Sequence, residues 1–285
     1  MIDIYAHCQE VVREFNRDRY FTTLFAPADR RPAVFALYAF NAEIAGIRDK
    51  VSDALPGEVR LQWWRDVLTG DGHGDVTANP VAAALLETIA KYNLPQEAFL
   101  NLIEARVFDL YEDPMPTLAD LEGYAGETAS VPIQLASMIL TDDPAKAMCD
   151  ASGHGGVAYA LTGLLRSLPW HARRRQMYLP GDLLERFGVD PNAVFCGKST
   201  PELKACLAEM RAIARRHMDQ TRYKIEGLGK GCGPALLPVA LVEPYLNRME
   251  RPDYDPLNEV IEIPQWRRQW ILWRASRQAT KSKAS

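Results

Sequence analysis

Hydrophobic residues recur at the 3.6-residue period of the α-helix along almost the whole chain, and alternating runs of β-branched residues are missing. The pattern therefore predicts an all-α protein. Helix start signals include Pro32, Pro80, Pro95 and the stretch 200–202, Thr-Pro-Glu. The predicted helices are residues 3–15, 31–50, 57–69, 79–92, 95–110, 117–140, 144–168, 180–187, 200–226, 232–249 and 263–278.

One segment, AVFALYAFNAEIAGI at 33–47, is apolar on nearly all sides, which is typical of a central helix enclosed by others. The segments at 85–94 and 118–140 are also amphipathic or apolar. Together they predict a helical bundle whose interior is either fully packed or encloses a long apolar cavity. No long Ser/Pro/Gly-rich linker interrupts the chain, so we expect a single domain over residues 1–285, in which 264–285 form a basic, Trp-rich C-terminal helix and tail.

Composition narrows the class of protein. A net charge of −4, with 47% hydrophobic and 25% charged residues, is ordinary for a soluble globular chain and excludes a generally basic nucleic-acid-binding protein. The five cysteines are scattered and never spaced CxxC, which favours a reducing compartment. The first 20 residues lack the features of a signal or transit peptide. We expect a cytoplasmic protein that can lie peripherally on the inner face of the membrane.

Five segments carry a resemblance to a known family. They are YFTTLFAPADRRPAVFALYAFNAEI at 20–44, LQWWRDVL at 61–68, YAGETASV at 124–131, RRRQMYLPGDLLERFGV at 173–189 and ALLPVALVEPYLNRMERPDYD at 235–255. In this order, over about residues 20–275, they resemble the squalene/phytoene synthase family. The resemblance implies the all-α isoprenoid synthase fold, in which helices surround a deep apolar cavity for prenyl chains. In active members, that fold joins two prenyl diphosphates head to head.

The same resemblance implies two DxxxD motifs on facing helices. Two aspartates four residues apart lie on one helical face, so both carboxylates reach the same Mg²⁺ cluster that holds the diphosphate. Here the first motif falls on Ala45 and Asp49 and the second on Ser167 and His171, so three of the four acids are missing. A serine hydroxyl is a weak Mg²⁺ ligand, and imidazole suits other metals. We therefore expect no metal site and assign no catalytic residue; Mg²⁺ would be a cofactor only if the protein were an active transferase.

The second motif is altered in its backbone as well. Pro169 is predicted to end or kink the helix near Leu168, so positions 167 and 171 do not share a helical face. The asparagine that the family carries one turn earlier falls on Gly163.

Two other aspartates need an interpretation. Asp49, left without its motif partner on an apolar helix, is predicted to point inward and to pair with a nearby arginine, because a buried unpaired carboxylate is costly. DLYED at 109–113 offers a substitute DxxxD motif, and Asp109 matches an acid of the family. Because Asp113 precedes Pro114, we interpret this segment as a solvated helix end.

A basic group precedes YLP at 178–180; it consists of Arg166, His171 and the three arginines at 173–175. This group has two open interpretations. Arginine can bind a phosphate through paired donors without a metal, but a solvated basic loop paired with surface acids fits equally well. The resemblance places further candidates in matched motifs. The candidate substrate-binding residues are Arg31, Tyr38, Arg48, Asp49, Arg65, Arg166, Arg173, Arg174, Tyr178 and Asp182.

Three segments narrow the resemblance: YAFNAEIAGIRDKVSD, LRSLPWHARRRQMYLP and IPQWRRQWILWRAS. They are similar to the branch of the superfamily that contains the mitochondrial assembly factor for respiratory complex I and its bacterial relatives. This implies a non-catalytic homologue that assists complex I assembly, with a complex I subunit as partner. Two alternatives stay open: an active Mg²⁺-dependent head-to-head prenyltransferase, and a lipid-binding or quinone-binding protein that holds a prenyl lipid or prenyl diphosphate in the cavity.

The C-terminal segment from residue 264 has six basic residues and no acid. On a helix, Ile263, Trp266, Trp270 and Trp273 share one face. We expect the first two turns to close the bundle with this Trp stripe, whereas the last basic turns can reach anionic lipid or an acidic partner.

Overall fold

The computed structural model describes residues 3–141, 149–226 and 233–281, and within these ranges the secondary structure is helical, without strands. The all-α prediction is confirmed. The helices are α1 Ile4–Phe15, α2 Arg17–Thr23, α3 Arg31–Ala45, α4 Ala54–Thr69, α5 Pro80–Tyr92, α6 Gln96–Val107, α7 Leu118–Ala125, α8 Val131–Leu140, α9 Cys149–Arg166, α10 Leu168–Arg173, α11 Gly181–Phe187, α12 Pro191–Phe195, α13 Pro201–Glu226, α14 Gly233–Leu236, α15 Val242–Arg248 and α16 Gln265–Lys281.

Several predicted helices are divided in the structure. The helix predicted over 31–50 ends at Ala45, and a 3₁₀ turn follows at Arg48–Lys50. The one predicted over 117–140 is split by a π-helical turn, Gly126–Ser130. The hydrophobic pattern did not predict the short helices α2, α10 and α12, which have seven residues or fewer. The predicted starts at 144 and 232 and the tail after residue 281 lie outside the described residues.

Helix α3 lies at the centre of the bundle, as its all-round apolar sequence predicts, and packs against α1, α5 and α8. Phe40 is completely buried, with its ring 5.1 Å from that of Trp64 and 5.5 Å from that of Phe99, edge to face in both cases. Burying one such side chain contributes about 1.5–3 kcal/mol. This core fixes the end of α3 and therefore the position of Ala45.

Helix α9 runs beside α13 and the π-helical turn. A Cβ atom on Gly156 would lie 2.3 Å from the Cα atom of Ser130, so only glycine allows the two backbones to approach this closely. The helix ends at Arg166, and α10 begins at Leu168 with Pro169 in its first turn. The predicted break near Leu168 is confirmed. The expectation that positions 167 and 171 do not share a helical face is wrong, because the amide of His171 donates to the carbonyl of Ser167 at 2.9 Å, one helical turn earlier.

Helix α16 packs on the bundle through its face opposite the tryptophans. Leu272 is buried, and Arg268 Nη1 donates to both carboxylate oxygens of Asp18, at 2.9 and 3.0 Å. The expectation that the Trp stripe closes the bundle is wrong. The three tryptophans point to solvent, because positions 268 and 272 lie about half a turn away from them on the helix. The exposed residues of the stripe are Trp266, Trp270 and Trp273.

Candidate functional site

A cavity of about 290 Å³ opens between α2, α3, the π-helical turn, α9 and α15. Three positions of the two DxxxD motifs line it, namely Ala45, Ser167 and His171, and so does Gly163. Positions from both motifs therefore face one space, and none of these three residues carries a carboxylate. The cavity is open to the surface, and its lining mixes apolar side chains with charged ones, so it is not the long apolar cavity that the sequence offered as one alternative.

Asp49 stands apart from this cavity. Because α3 ends at Ala45, Asp49 lies in the following 3₁₀ turn, where its side chain is 59% exposed. Its carboxylate accepts a hydrogen bond from Arg174, whose guanidinium also lies over the ring of Trp170 at 4.5 Å. The predicted arginine partner is confirmed, whereas the predicted inward orientation is wrong.

Asp109 is buried beside the cavity, which corrects the interpretation of 109–113 as a solvated helix end. Arg106 Nη1 donates to Oδ2 at 2.9 Å, and the hydroxyls of Tyr124 and Tyr178 donate to Oδ1 at 2.8 and 2.7 Å. Gln176 Nε2 donates to the Asp109 carbonyl oxygen at 2.9 Å. Burial raises the pKa of both tyrosines well above the usual range, so their hydroxyls stay protonated and donate. These donors occupy the carboxylate oxygens.

The residues present do not fit a Mg²⁺–diphosphate cluster. Among the described residues that line the cavity, Asp18 is the one acid, and both of its oxygens are bonded to Arg268. Along 3–141, 149–226 and 233–281, no three His, Cys, Asp or Glu side chains lie close enough together to hold a metal ion. A hard cation such as Mg²⁺ needs several free oxygen ligands in near-octahedral geometry.

The cavity wall is instead rich in arginine. Arg19 is 4% exposed, with its guanidinium 4.7 Å from the centre of the Tyr38 ring, and its Nη1 atom is buried without a hydrogen-bond partner. The Arg166 guanidinium stacks on Tyr245 at 3.8 Å, while its Nε donates to the Ile261 carbonyl at 3.3 Å. Stacking holds each guanidinium by its face and leaves donors at its edge available for a ligand.

His171, on the same wall, is uncharged at neutral pH. Burial lowers its pKa to about 4, against the opposing charge of Asp109, and Arg174 adds to the lowering. Its ring lies 4.6 Å from that of Tyr178. At the position of the second motif's last aspartate, the chain therefore presents a neutral imidazole.

Among the ten candidate substrate-binding residues, Arg166 lines the cavity, while Tyr38 and Tyr178 contact residues beside it. The remaining candidates lie elsewhere, and their partners are protein atoms. Arg31 donates to the Ala26 carbonyl, and Arg48 donates to the Val51 carbonyl. Arg65 donates to the Glu104 carboxylate, and Asp182 accepts from the Leu118 amide. Arg174 pairs with Asp49, and Arg173 is exposed.

Sequence reasoning missed Arg19, Arg106 and Tyr124 as parts of the site. Arg19 directly precedes the matched segment at 20–44, on a seven-residue helix that the periodicity did not predict. Arg106 stands three residues before Asp109, a spacing that brings the two side chains together on one helical face. That spacing was the available signal for a buried ion pair.

Comparison with known proteins agrees with this architecture. The squalene/phytoene synthase family profile matches residues 12–274. The chain is 28% identical to the NADH dehydrogenase (ubiquinone) complex I assembly factor 6 of Bos taurus, over 87% of this chain and 74% of that protein. It is 23% identical to the 15-cis-phytoene synthase of Synechococcus elongatus, over 98% and 94%. A crystal structure of a dehydrosqualene synthase in complex with ligand superimposes with a TM-score of 0.81, at 20% identity, and covers 98% of this chain and 97% of that one.

The order of the helices, the facing motif positions and the extent of the match lead to one assignment. The chain has the isoprenoid synthase fold and belongs to the squalene/phytoene synthase family.

Proposed function

We propose that this protein is a non-catalytic member of the squalene/phytoene synthase family that assists the assembly of respiratory complex I, through contact with a complex I subunit. The observation that carries the proposal is the state of the motif positions. Ala45, Ser167 and His171 offer no carboxylate to the cavity, and Asp49 is paired with Arg174 outside it. The role in complex I assembly is suggested by the relatives that are named complex I assembly factor 6.

The size of the cavity supports the same proposal. Head-to-head condensation requires two prenyl diphosphates side by side, whereas about 290 Å³ lies at the lower limit of the roughly 300–1,000 Å³ typical of a pocket for one small ligand. Space for one ligand suits binding better than condensation.

Deletion of the gene in its own host tests the assembly role. We expect less assembled complex I on native gels and its recovery when the wild-type gene is returned. Unchanged complex I in the deletion strain would contradict the proposal. The rival activity is tested separately by incubating purified protein with farnesyl or geranylgeranyl diphosphate and Mg²⁺; release of pyrophosphate would favour an active prenyltransferase.

The exposed face of α16 supports a peripheral membrane location on the cytoplasmic side. Trp266, Trp270 and Trp273 are 70%, 54% and 40% exposed, and the rings of the last two stack with centres 5.0 Å apart. Arg274 and Arg277 lie close to this stripe on the helix, and α16 carries no acid. Tryptophan favours the membrane interface, and each basic residue near an anionic surface contributes about 1 kcal/mol. No helix within the described ranges is long and apolar enough to cross a bilayer.

Sedimentation with lipid vesicles tests this contact. We expect the full chain to bind vesicles that contain phosphatidylglycerol, to bind vesicles of pure phosphatidylcholine weakly, and to dissociate as salt is raised. The double variant Trp270→Ala/Trp273→Ala should lose most of the binding. Trp170→Ala is the matched control, because this tryptophan is 52% exposed and lies outside α16. Equal losses in the two variants, or no preference for anionic lipid, would contradict the contact.

A further inference from the structure

Two histidine rings meet in a second pocket, which shares no described lining residue with the central cavity. Nδ1 of His154 on α9 lies 3.0 Å from Nδ1 of His217 on α13, and the ring centres are 5.1 Å apart. The two helices pack along each other. Both rings line an open pocket of about 380 Å³, together with Arg216, Asp219 and Gln220. Solvent and small ions therefore reach the two rings.

Glu122 on α7 fixes the nitrogen of His217 that carries the proton. Its Oε1 atom lies 3.1 Å from His217 Nε2. A carboxylate only accepts hydrogen bonds, so Nε2 donates and the neutral ring keeps its lone pair at Nδ1. His154 Nδ1 must then donate the hydrogen of the contact between the rings. Two nitrogens that can both act as metal ligands thus share one proton.

The separation of these nitrogens suits two ligands of one metal ion. With metal–nitrogen bonds of about 2.0–2.1 Å, ligands in adjacent positions of a square plane are about 2.9 Å apart, and those of a tetrahedron about 3.3–3.4 Å apart. The observed distance of 3.0 Å lies between these values. We propose that His154 and His217 bind a late first-row divalent cation such as Zn²⁺, with water at its other positions.

The environment of His217 is that of a metal-bound histidine. Such a ring almost always donates its other N–H group to a carboxylate, a carbonyl or a water molecule, which fixes its orientation. Glu122 accepts this bond here. In the parts of the chain that the structure describes, no third His, Cys, Asp or Glu side chain reaches the same point. The site therefore has two protein ligands from the described residues and open positions toward the pocket.

The proton and the charges balance when the ion binds. The hydrogen of His154 moves from Nδ1 to Nε2 through solvent, so that Nδ1 gains a free lone pair and both rings stay neutral. Glu122 has no lysine or arginine within salt-bridge distance among the described residues, and its charge attracts the cation. The other charged groups around the pair form ion pairs with each other: Arg216 with Glu209, Asp219 with Arg222, and Asp150 with Lys224.

Calorimetric titration of the untagged full-length protein with Zn²⁺ and with Mg²⁺ tests the site. We expect saturable binding of Zn²⁺ and none of Mg²⁺ at the histidine pair, because imidazole suits late transition metals. His154→Gln and His217→Gln should each weaken Zn²⁺ binding at least about tenfold, which is the lower limit for loss of an outer-shell partner. His73→Gln removes an exposed loop histidine and should bind as the wild type does. Zn²⁺ held by cysteines would be the same in all these variants.

Unchanged Zn²⁺ affinity in both His154→Gln and His217→Gln would overturn the proposal. Thermal unfolding gives a second measurement, which does not depend on the heat of binding. Zn²⁺ should raise the melting temperature of His73→Gln more than that of His154→Gln, because an ion that binds only the folded chain stabilises it. Equal rises in the two variants would place the ion elsewhere and overturn the proposal.

Glu122 is a positioning residue in this proposal, and Glu122→Gln tests its part. The amide can still accept a hydrogen bond, but the negative charge is lost. We expect Zn²⁺ affinity to fall about tenfold, while the melting temperature without metal stays close to that of the wild type, since the bond is partly exposed. Wild-type affinity in Glu122→Gln would contradict the role given to Glu122. The site goes beyond the proposed role in complex I assembly and does not depend on it.

Discussion

His171 makes the stability of the protein depend on pH. The residue occupies a position where the family motif has an aspartate, and burial lowers its pKa to about 4, against an ordinary value near 6.5. In the unfolded chain, the imidazole takes up a proton as the pH falls through about 6.5. In the folded chain, it stays neutral until the pH approaches 4. Between these values the unfolded state binds more protons, so the free energy of unfolding decreases as the pH falls.

The size of the effect follows from the two pKa values. The contribution of His171 is fully present above about pH 6.5 and decreases through the window down to about pH 4. Between about pH 7 and pH 5, the linkage relation gives a loss of about 2 kcal/mol from this one residue. That is a substantial part of the roughly 5–15 kcal/mol by which a folded protein is usually stable.

Urea unfolding at both pH values measures this loss, with ΔG extrapolated to water. The pKa of His154 is also lowered, chiefly by burial, so the wild type should lose more than the share of His171. The comparison is therefore with His171→Gln, which cannot titrate and should lose about 2 kcal/mol less than the wild type over the same interval. His73→Gln changes an exposed loop histidine and should behave as the wild type does. If His171→Gln and the wild type lose the same free energy, the reasoning is refuted.

Two pairs of variants test the packing around the cavity. Asp109→Asn leaves Arg106 buried without its charge partner and should lower the free energy of unfolding, measured in urea, by about 3–5 kcal/mol. Asp49→Asn breaks an exposed pair with Arg174 and should lower it by no more than about 1 kcal/mol. Similar losses in the two variants would contradict the argument from burial. Gly156→Ala forces a methyl group against the π-helical turn and should lower the melting temperature, with a cost of about 1–3 kcal/mol. Gly163 lies on the same helix, and no atom lies within 4 Å of an added Cβ there. Gly163→Ala should therefore leave the melting temperature unchanged or raise it, with a gain in the free energy of unfolding of up to about 1 kcal/mol. Equal melting temperatures for Gly156→Ala and Gly163→Ala would contradict the argument.

The hydrophobic pattern predicted the helices and the centre of the fold because those features depend on local periodicity. It identified α3 as the central helix, and Phe40 is indeed fully buried. It did not show where α3 ends, since the apolar run continues through Ile47 and a 3₁₀ turn has nearly the same spacing as an α-helix. That one difference moves Asp49 from the inner face to the surface.

Contacts between distant residues account for the other differences. Asp109 looked solvated because it stands near Pro114, but its burial depends on Tyr178, 69 residues later. The Trp stripe of α16 was evident from spacing alone. The side of that helix that faces the bundle is fixed by the pairing of Arg268 with Asp18, 250 residues apart. No local pattern contains either contact.

The residues at the two motif positions set the charge of the cavity. Three of the four motif positions carry no carboxylate, and the cavity wall contains Arg19, Arg106 and Arg166, so the electrostatic potential in the cavity favours anions over cations. The two acids are both paired: Asp18 in the lining is bonded to Arg268 behind the wall, and Asp109 behind the wall is bonded to Arg106 in the lining. Unpaired buried charges of either sign are costly, so each charged group in or beside the wall is expected to have a partner. Arg19 and Arg166, each stacked on a tyrosine, are the two charged groups of the cavity wall that have no carboxylate partner among the described residues.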